Sequence, residues 1–251
     1  MKNNFFELIY PSNISCIICD RPIKKTNSYS LCKSCFEKLN FIKIGCEKCG
    51  KFINNYSLEK EFHEGCTFCH NKKFYFDRAI SCVEYCDTSK KIILGLKYSR
   101  KTYMCKYIAT IMKEKTELEE LKFDYILFVP LHRKRYKSRG FNQSEKIAKY
   151  LSKEINVPVL DCINRIKNTR MLYNLHKHDR QKELKNAFKV NDNAKLIEGK
   201  DVVLIDDVFT TGSTVNEISK ELKLQGVGKI YVMTFLSKHT QKYIQIDSEK
   251  I

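Results

Sequence analysis

The sequence predicts an α/β protein: a mostly parallel β-sheet flanked by helices, with a small cysteine-rich region ahead of it. Three observations carry this reading. From residue 72 onward, short apolar runs bounded by turn residues alternate with stretches of helical periodicity. Ahead of them, eight of the 12 cysteines fall into four Cys-x-x-Cys pairs. The chain has 251 residues, 43% hydrophobic and 30% charged, which suits one large domain or two smaller ones and excludes wholesale disorder.

The cysteine pairs are Cys16/Cys19, Cys32/Cys35, Cys46/Cys49 and Cys66/Cys69. A two-residue spacer lets two thiolates face one tetrahedral ion. Eight thiolates at that spacing predict two four-cysteine zinc sites, a tandem zinc-ribbon region over residues 1–71. Disulfides are the alternative, and a reducing compartment disfavours them. Sequential pairing puts Cys16, Cys19, Cys32 and Cys35 on one ion and the other four on the second. An interleaved cross-brace fits the spacing equally well. His63 and His70 flank the last pair and are read as spectators. So short a segment has few large apolar residues, so bound metal supplies folding energy that a core would otherwise provide. Sites closed by four thiolates are structural. The remaining Cys82, Cys86, Cys105 and Cys162 lie among apolar residues and read as buried free thiols.

An α/β domain is expected over residues 72–240, followed by a polar tail, 241–251. Lys73–Asp87 contains its first strand. Ile92, Ile93 and Leu96, then Ile108, Ala109 and Met112, mark two helices. The continuous apolar run Tyr125–Pro130 reads as a buried strand. A helix from Gln143 presents Ile147, Ala148, Leu151 and Ile155 on one face. Val157–Leu160 is a short strand, and Lys200–Asp207 is a buried one. The helix from Ser213 carries Val215, Ile218 and Leu222 inward and stops before Gly226. Lys229–Ser237 is the last strand. This alternation implies βαβ crossovers.

No apolar run approaches the roughly 18 residues of a membrane span. The opening residues are too polar for a secretory leader, so a cytoplasmic setting is expected. The net charge is +17, unevenly spread. Residues 1–70 carry 10 basic and 7 acidic residues, whereas residues 71–251 carry 36 and 22. An excess of +14 in the second part favours an anionic partner such as a phosphate-bearing metabolite or nucleic acid.

The most informative stretch runs from Val202 to Thr214, VVLIDDVFTTGST. A buried strand leads into Asp206 and Asp207, and a small hydroxyl-rich turn then opens a helix. Thr210, Thr211, Gly212, Ser213 and Thr214 offer amides and hydroxyls at a helix N-terminus, where an anion is favoured. Two carboxylates at a strand end can accept from a ribose diol or hold Mg²⁺. The stretch lacks the Gly-Lys-Ser/Thr of a Walker loop and has no GxGxxG. A second segment, VPLHRKRYKSRGFNQ, places Arg133, Lys134, Arg135, Lys137 and Arg139 in a loop between a strand and a helix. Such a loop suits pyrophosphate or a nucleic-acid backbone, with two or three of the five facing the ligand. Tyr136 and Phe141 are candidate platforms for stacking bases, or else core residues.

LIDDVFTTGST resembles the phosphoribosyl-diphosphate (PRPP) binding motif of type I phosphoribosyltransferases. That resemblance implies a parallel sheet flanked by helices, catalytic and ribose-contacting roles for Asp206 and Asp207, and a 5′-phosphate on Thr210–Thr214. The order of tandem CxxC pairs, LKYSRK (Leu96–Lys101), the basic segment, AFKV and LIDDVFTTGST resembles the ComF family over nearly the whole chain. Upstream of AFKV the family pattern has Thr-x-x-Gln and then Arg with Asn three residues on. Here Thr169 and Arg180 match, while Leu172 and Glu183 depart from it. The resemblance makes residues 168–186 a basic hood over an acceptor. It implies two zinc ions, PRPP with Mg²⁺, and a role in DNA uptake with cytoplasmic single-stranded DNA and its partner proteins. The alternative is an active Mg²⁺-dependent phosphoribosyltransferase of nucleotide metabolism, for which no residue stands out as the acceptor's base.

Overall fold

A computed structural model describes residues 14–53, 66–169 and 177–238. His63, Arg170, Leu172 and the expected tail fall outside these residues, as do the side chains of Lys177 and Arg180.

Four strands form one parallel sheet: β1 (Arg78–Glu84), β2 (Tyr125–Phe128), β5 (Val202–Phe209) and β6 (Ile230–Ser237), in the order β1-β6-β5-β2. A small antiparallel pair, β3 (Ile163–Arg165) and β4 (Phe188–Val190), lies apart from it. The sequence reading did not anticipate this pair, because three-residue strands leave almost no alternation to detect. The helices are α1 (Lys33–Phe36), α2 (Asp87–Tyr98), α3 (Met104–Leu118), α4 (Arg133–Arg139), α5 (Gln143–Ile155), α6 (Lys177–Leu184) and α7 (Ser213–Lys223).

The central strands are apolar on both faces because helices cover both faces. Along β5, Val203 and Ile205 pack into a layer with α2, α3 and α5. Val202 and Leu204 alternate to the other side and meet α7, β3 and β4. The expected inward residues Ile92, Ile93, Leu96, Ile108, Ala109, Met112, Ile147, Ala148, Leu151, Val215, Ile218 and Leu222 are buried, while Ile155, at the end of its helix, is only partly so. Ser81 and Thr234, neighbours across β1 and β6, satisfy each other through their hydroxyls at 2.9 Å.

The cysteine-rich region straddles the β1 edge of this sheet. Cys16 and Cys35 belong to the layer of α2, α3 and α5, and Cys46, Cys49, Cys66 and Cys69 to the layer of α7. The chain from Asn40 to Lys48, which runs into the second cysteine group, pairs with β1 itself. The Ile42 amide donates to the Cys82 carbonyl (2.9 Å), Glu84 to Asn40 (2.8 Å) and Ala79 to Lys48 (3.2 Å). These bonds cover an edge that would otherwise present unpaired backbone. Lys115 of α3 pins the same chain by donating to the carbonyls of Ile42 and Lys43, with Glu119 at 2.6 Å balancing its charge.

Four details differ from the sequence reading. The segment Arg133–Arg139 is a helix, not a loop: the His132 ring accepts from the Lys134 amide, and Gly140, at φ +84°, ends the turn. Strand β5 runs two residues past Asp207, because β6 continues to pair with Val208 and Phe209. Val157–Leu160 contributes a single parallel bridge, Val159 to Ile126, instead of a full strand. Cys82, Cys105 and Cys162 are buried as expected, but half-buried Cys86 caps α2, its sulfur 3.5 Å from the Ser89 amide.

Candidate functional site

The eight paired cysteines form two groups, Cys16/Cys19/Cys32/Cys35 and Cys46/Cys49/Cys66/Cys69, each with its sulfurs within 4.8 Å of one another. Pairing is therefore sequential. Four thiolates at about 2.3 Å from a tetrahedral zinc stand roughly 3.8 Å apart. The observed separations are 3.7 Å for Cys19–Cys32, 3.5 Å for Cys46–Cys69 and Cys49–Cys66, and 3.8 Å for Cys66–Cys69. Both donor sets fit zinc, and all eight cysteines are free of disulfides. His70 is outside its tetrad. The second group is wholly buried, whereas Cys19 of the first is exposed with Arg21 donating to it at 3.4 Å.

The acidic pair lies near the C-terminal end of β5, where open parallel sheets bind ligands. Because β2 stops at Phe128, the N-terminus of α5 fills the place beside it. The Asn142 side chain caps α5 by accepting from the Ser144 amide and donates to the Val129 carbonyl, fixing helix to strand. This sets Gln143 and Ser144 against the carboxylates. Ser144 Oγ donates to Asp206 at 3.3 Å, and Gln143 Nε2 donates to Asp207 at 3.0 Å. From the other side Lys97, on the last turn of α2, reaches Asp207 at 2.7 Å.

The two carboxyls are driven apart. Burial and the neighbouring Asp207 charge push Asp206 up to about 7. Burial opposes ionisation of Asp207 as well, but Lys97, Gln143 and Arg139 outweigh it and hold that carboxyl below its ordinary range. At neutral pH the pair thus presents one fixed carboxylate and one group able to take or give a proton.

Helix α4 brings two of its five basic residues inward. Arg135 and Arg139, four apart, share a face, while Arg133, Lys134 and Lys137 are exposed. Arg139 donates to Gln143 Oε1 at 2.6 Å and so joins the Asp207 network. Arg135 donates to the Thr169 carbonyl at 2.8 Å, and Arg165 of β3 donates to the Thr169 hydroxyl. Arg165 is held down to about 10 by burial, with Arg135 adding repulsion, and its Nε has no hydrogen-bond partner among the described residues. A guanidinium packed beside another, with one nitrogen unsatisfied, is suited to an incoming anion. Tyr136 is 45% exposed, available for stacking, but Phe141 is 7% exposed and serves the core, which removes it as a platform.

Thr210, Thr211, Gly212, Ser213 and Thr214 follow directly. Gly212 takes φ +76°, and a Cβ there would lie 2.8 Å from the Phe209 ring. The first intrahelical bond runs from the Asn216 amide to the Gly212 carbonyl, and ahead of it the Ser213 amide donates to the Thr211 hydroxyl at 3.4 Å. The Thr211 and Ser213 hydroxyls meet at 2.8 Å. Sequence reasoning found the carboxylates and this turn, and missed Lys97, Gln143, Ser144 and Arg165. Lys97 lay in the singled-out LKYSRK, and Gln143 and Ser144 opened a helix identified from its apolar face. Arg165 had no local signal, because β3 was not foreseen.

Comparison with known proteins agrees with this layout. A family model described as phosphoribosyl transferase domain matches residues 136–249, and one described as double zinc ribbon domain matches residues 5–71. Competence protein F of Haemophilus influenzae is 28% identical, covering 91% of this chain and 96% of its own. The DNA utilization protein YhgH of Escherichia coli strain K12 is 27% identical over 86% and 94%. Competence protein ComFC of Streptococcus pneumoniae is 24% identical over 85% and 95%.

Proposed function

Because the chain belongs to the ComF family, we propose that it binds phosphoribosyl diphosphate or a related sugar phosphate at the C-terminal edge of β5. Its role is in handling single-stranded DNA during uptake. The observation that carries this reading is the passage, within one short segment, from buried carboxylates to a glycine-opened helix N-terminus. The amides and hydroxyls of Thr210–Thr214, at the start of α7, take the 5′-phosphate. Asp206 accepts from the ribose hydroxyls, and Asp207, held by Lys97 and Gln143, keeps the strand end in register. Arg135, Arg139 and Arg165 take the pyrophosphate. Mg²⁺ arriving with the diphosphate neutralises part of its charge.

In an active transferase these same arginines stabilise departing pyrophosphate as C1′ becomes electron-poor. Asp206, poised near neutrality, is the group of the pair that can move a proton.

The DNA role is supported by the outer face of α4, where Arg133, Lys134 and Lys137 surround exposed Tyr136. It is also supported by the likeness to a competence protein and a DNA utilization protein. Titration calorimetry with PRPP in Mg²⁺ buffer tests the site. Micromolar binding is expected, lost in the Asp206→Asn/Asp207→Asn double variant while the fold is kept. Equal affinity in that variant would sink the assignment.

A further inference from the structure

The turn that would hold the 5′-phosphate does not stand on the sheet alone. Behind Gly212 lies the Phe209 ring, and Phe74 is 3.5 Å from where a Gly212 Cβ would project. Phe209 is braced edge-on by Phe76, with centroids 6.3 Å apart, and by Phe68, at 6.5 Å. Phe74 and Phe76 stack on each other at 4.5 Å. Phe68 belongs to the last cysteine knuckle, between Cys66 and Cys69. The chain leaving that knuckle reaches α7 directly: the Tyr75 amide donates to Asn216 Oδ1 at 2.7 Å, on the first turn after Gly212.

Lys51, buried just after the Cys46/Cys49 knuckle, closes the circuit. Its ammonium sits 4.3 Å from the Phe68 centroid and 5.9 Å from that of Phe209, and it donates to the Lys238 carbonyl. Lys238 in turn donates its amide to the Phe209 carbonyl at 2.8 Å. The first cysteine group makes none of these contacts and packs with the opposite layer.

We infer that zinc at Cys46/Cys49/Cys66/Cys69 and a sugar phosphate at Thr210–Thr214 stabilise each other, with Phe68 and Phe209 as the positioning residues between them. The element with two states is the knuckle itself, which is ordered with metal and unfolds without it. Only the ordered state holds Phe68, Phe74 and Tyr75 against the turn. A ligand that needs the ordered turn binds the zinc-loaded state better, and by linkage it slows loss of that zinc. The inference rests on the sugar-phosphate reading above.

The test uses the full chain loaded with two zinc ions and a colorimetric chelator, with and without PRPP. Two release phases are expected, and PRPP should slow the second group's phase by about fivefold or more while leaving the first unchanged. Assignment comes from Cys19→Ser, which should remove the unresponsive phase. In Phe68→Leu, both zinc ions should remain but PRPP affinity should fall about tenfold and the ligand should no longer slow release. Phe68→Tyr should restore both. PRPP that binds without altering either phase, or that slows only the Cys19 group, would overturn the coupling. So would wild-type affinity in Phe68→Leu. No PRPP binding to the fully loaded wild-type chain would instead overturn the functional reading beneath it.

Discussion

At the scale of single residues, the site turns on two adjacent carboxyls made unequal by what touches them. Lys97 and Gln143 serve Asp207, while Asp206 has the Ser144 hydroxyl and the Asp207 amide. The pH consequence has a definite sign. A carboxyl raised to about 7 holds a proton in the folded chain that the unfolded chain, near 4, has already released. Stability therefore falls as pH rises from about 4 to about 7 and levels off above that, where both states have released the proton. Thermal melts should show the midpoint falling with pH between about 5 and 7 and levelling off above that. Asp206→Asn should flatten that slope and raise the midpoint at pH 8, by about 2–4 °C per kcal/mol recovered. An unchanged slope would mean that Asp206 is not the titrating group. Asp207 is depressed, so it is ionised throughout this window and adds no slope.

At the scale of elements, two helix starts do most of the positioning. The start of α7 depends on Gly212, at φ +76° against Phe209. Gly212→Ala should cost about 1–2 kcal/mol from the left-handed backbone alone, and more from the ring contact. Denaturant melts would show that loss, and titration would show PRPP affinity falling with it. A variant as stable as the parent would contradict the geometry. Helix α4 divides its charge between the site and solvent. Arg133→Ala, Lys134→Ala and Lys137→Ala together should weaken single-stranded DNA binding and lower the slope of log affinity on log salt by about 2, at roughly 0.7 per lost phosphate contact. PRPP affinity should hold, because Arg135 and Arg139 remain. An unchanged slope would place the strand elsewhere.

At the scale of the molecule, the cysteine-rich region is part of the sheet's packing and of its edge. Sulfurs of both groups lie in the two core layers, and the chain between them hydrogen-bonds to β1. Stripping the metal should therefore weaken the sheet as well as the knuckles. Hydrogen exchange after chelation should quicken at the Ala79 and Glu84 amides, which bond to Lys48 and Asn40. Full protection there without zinc would show that the sheet edge stands unaided. Among the described residues no helix is long and apolar enough to cross a membrane.

Much of this was legible in the chain itself. Cysteine spacing determines metal-binding knuckles because two residues are the geometric reach of a shared tetrahedral ion. Apolar periodicity determined the four sheet strands and the long helices because each buries a fixed face. The run from Val202 to Thr214 pointed to a candidate anion site because its strand, carboxylates and helix start are contiguous. What only the tertiary structure decided are relations between distant segments. Lys97, Gln143 and Ser144 reach the carboxylates because the order β1-β6-β5-β2 sets the ends of α2 and α5 beside β5. The sequential cysteine pairing, the inward turn of Arg135 and Arg139, and Phe68 against Phe209 behind the Thr210–Thr214 turn were settled the same way. Local sequence encodes which face an element buries, and only packing determines what that face meets.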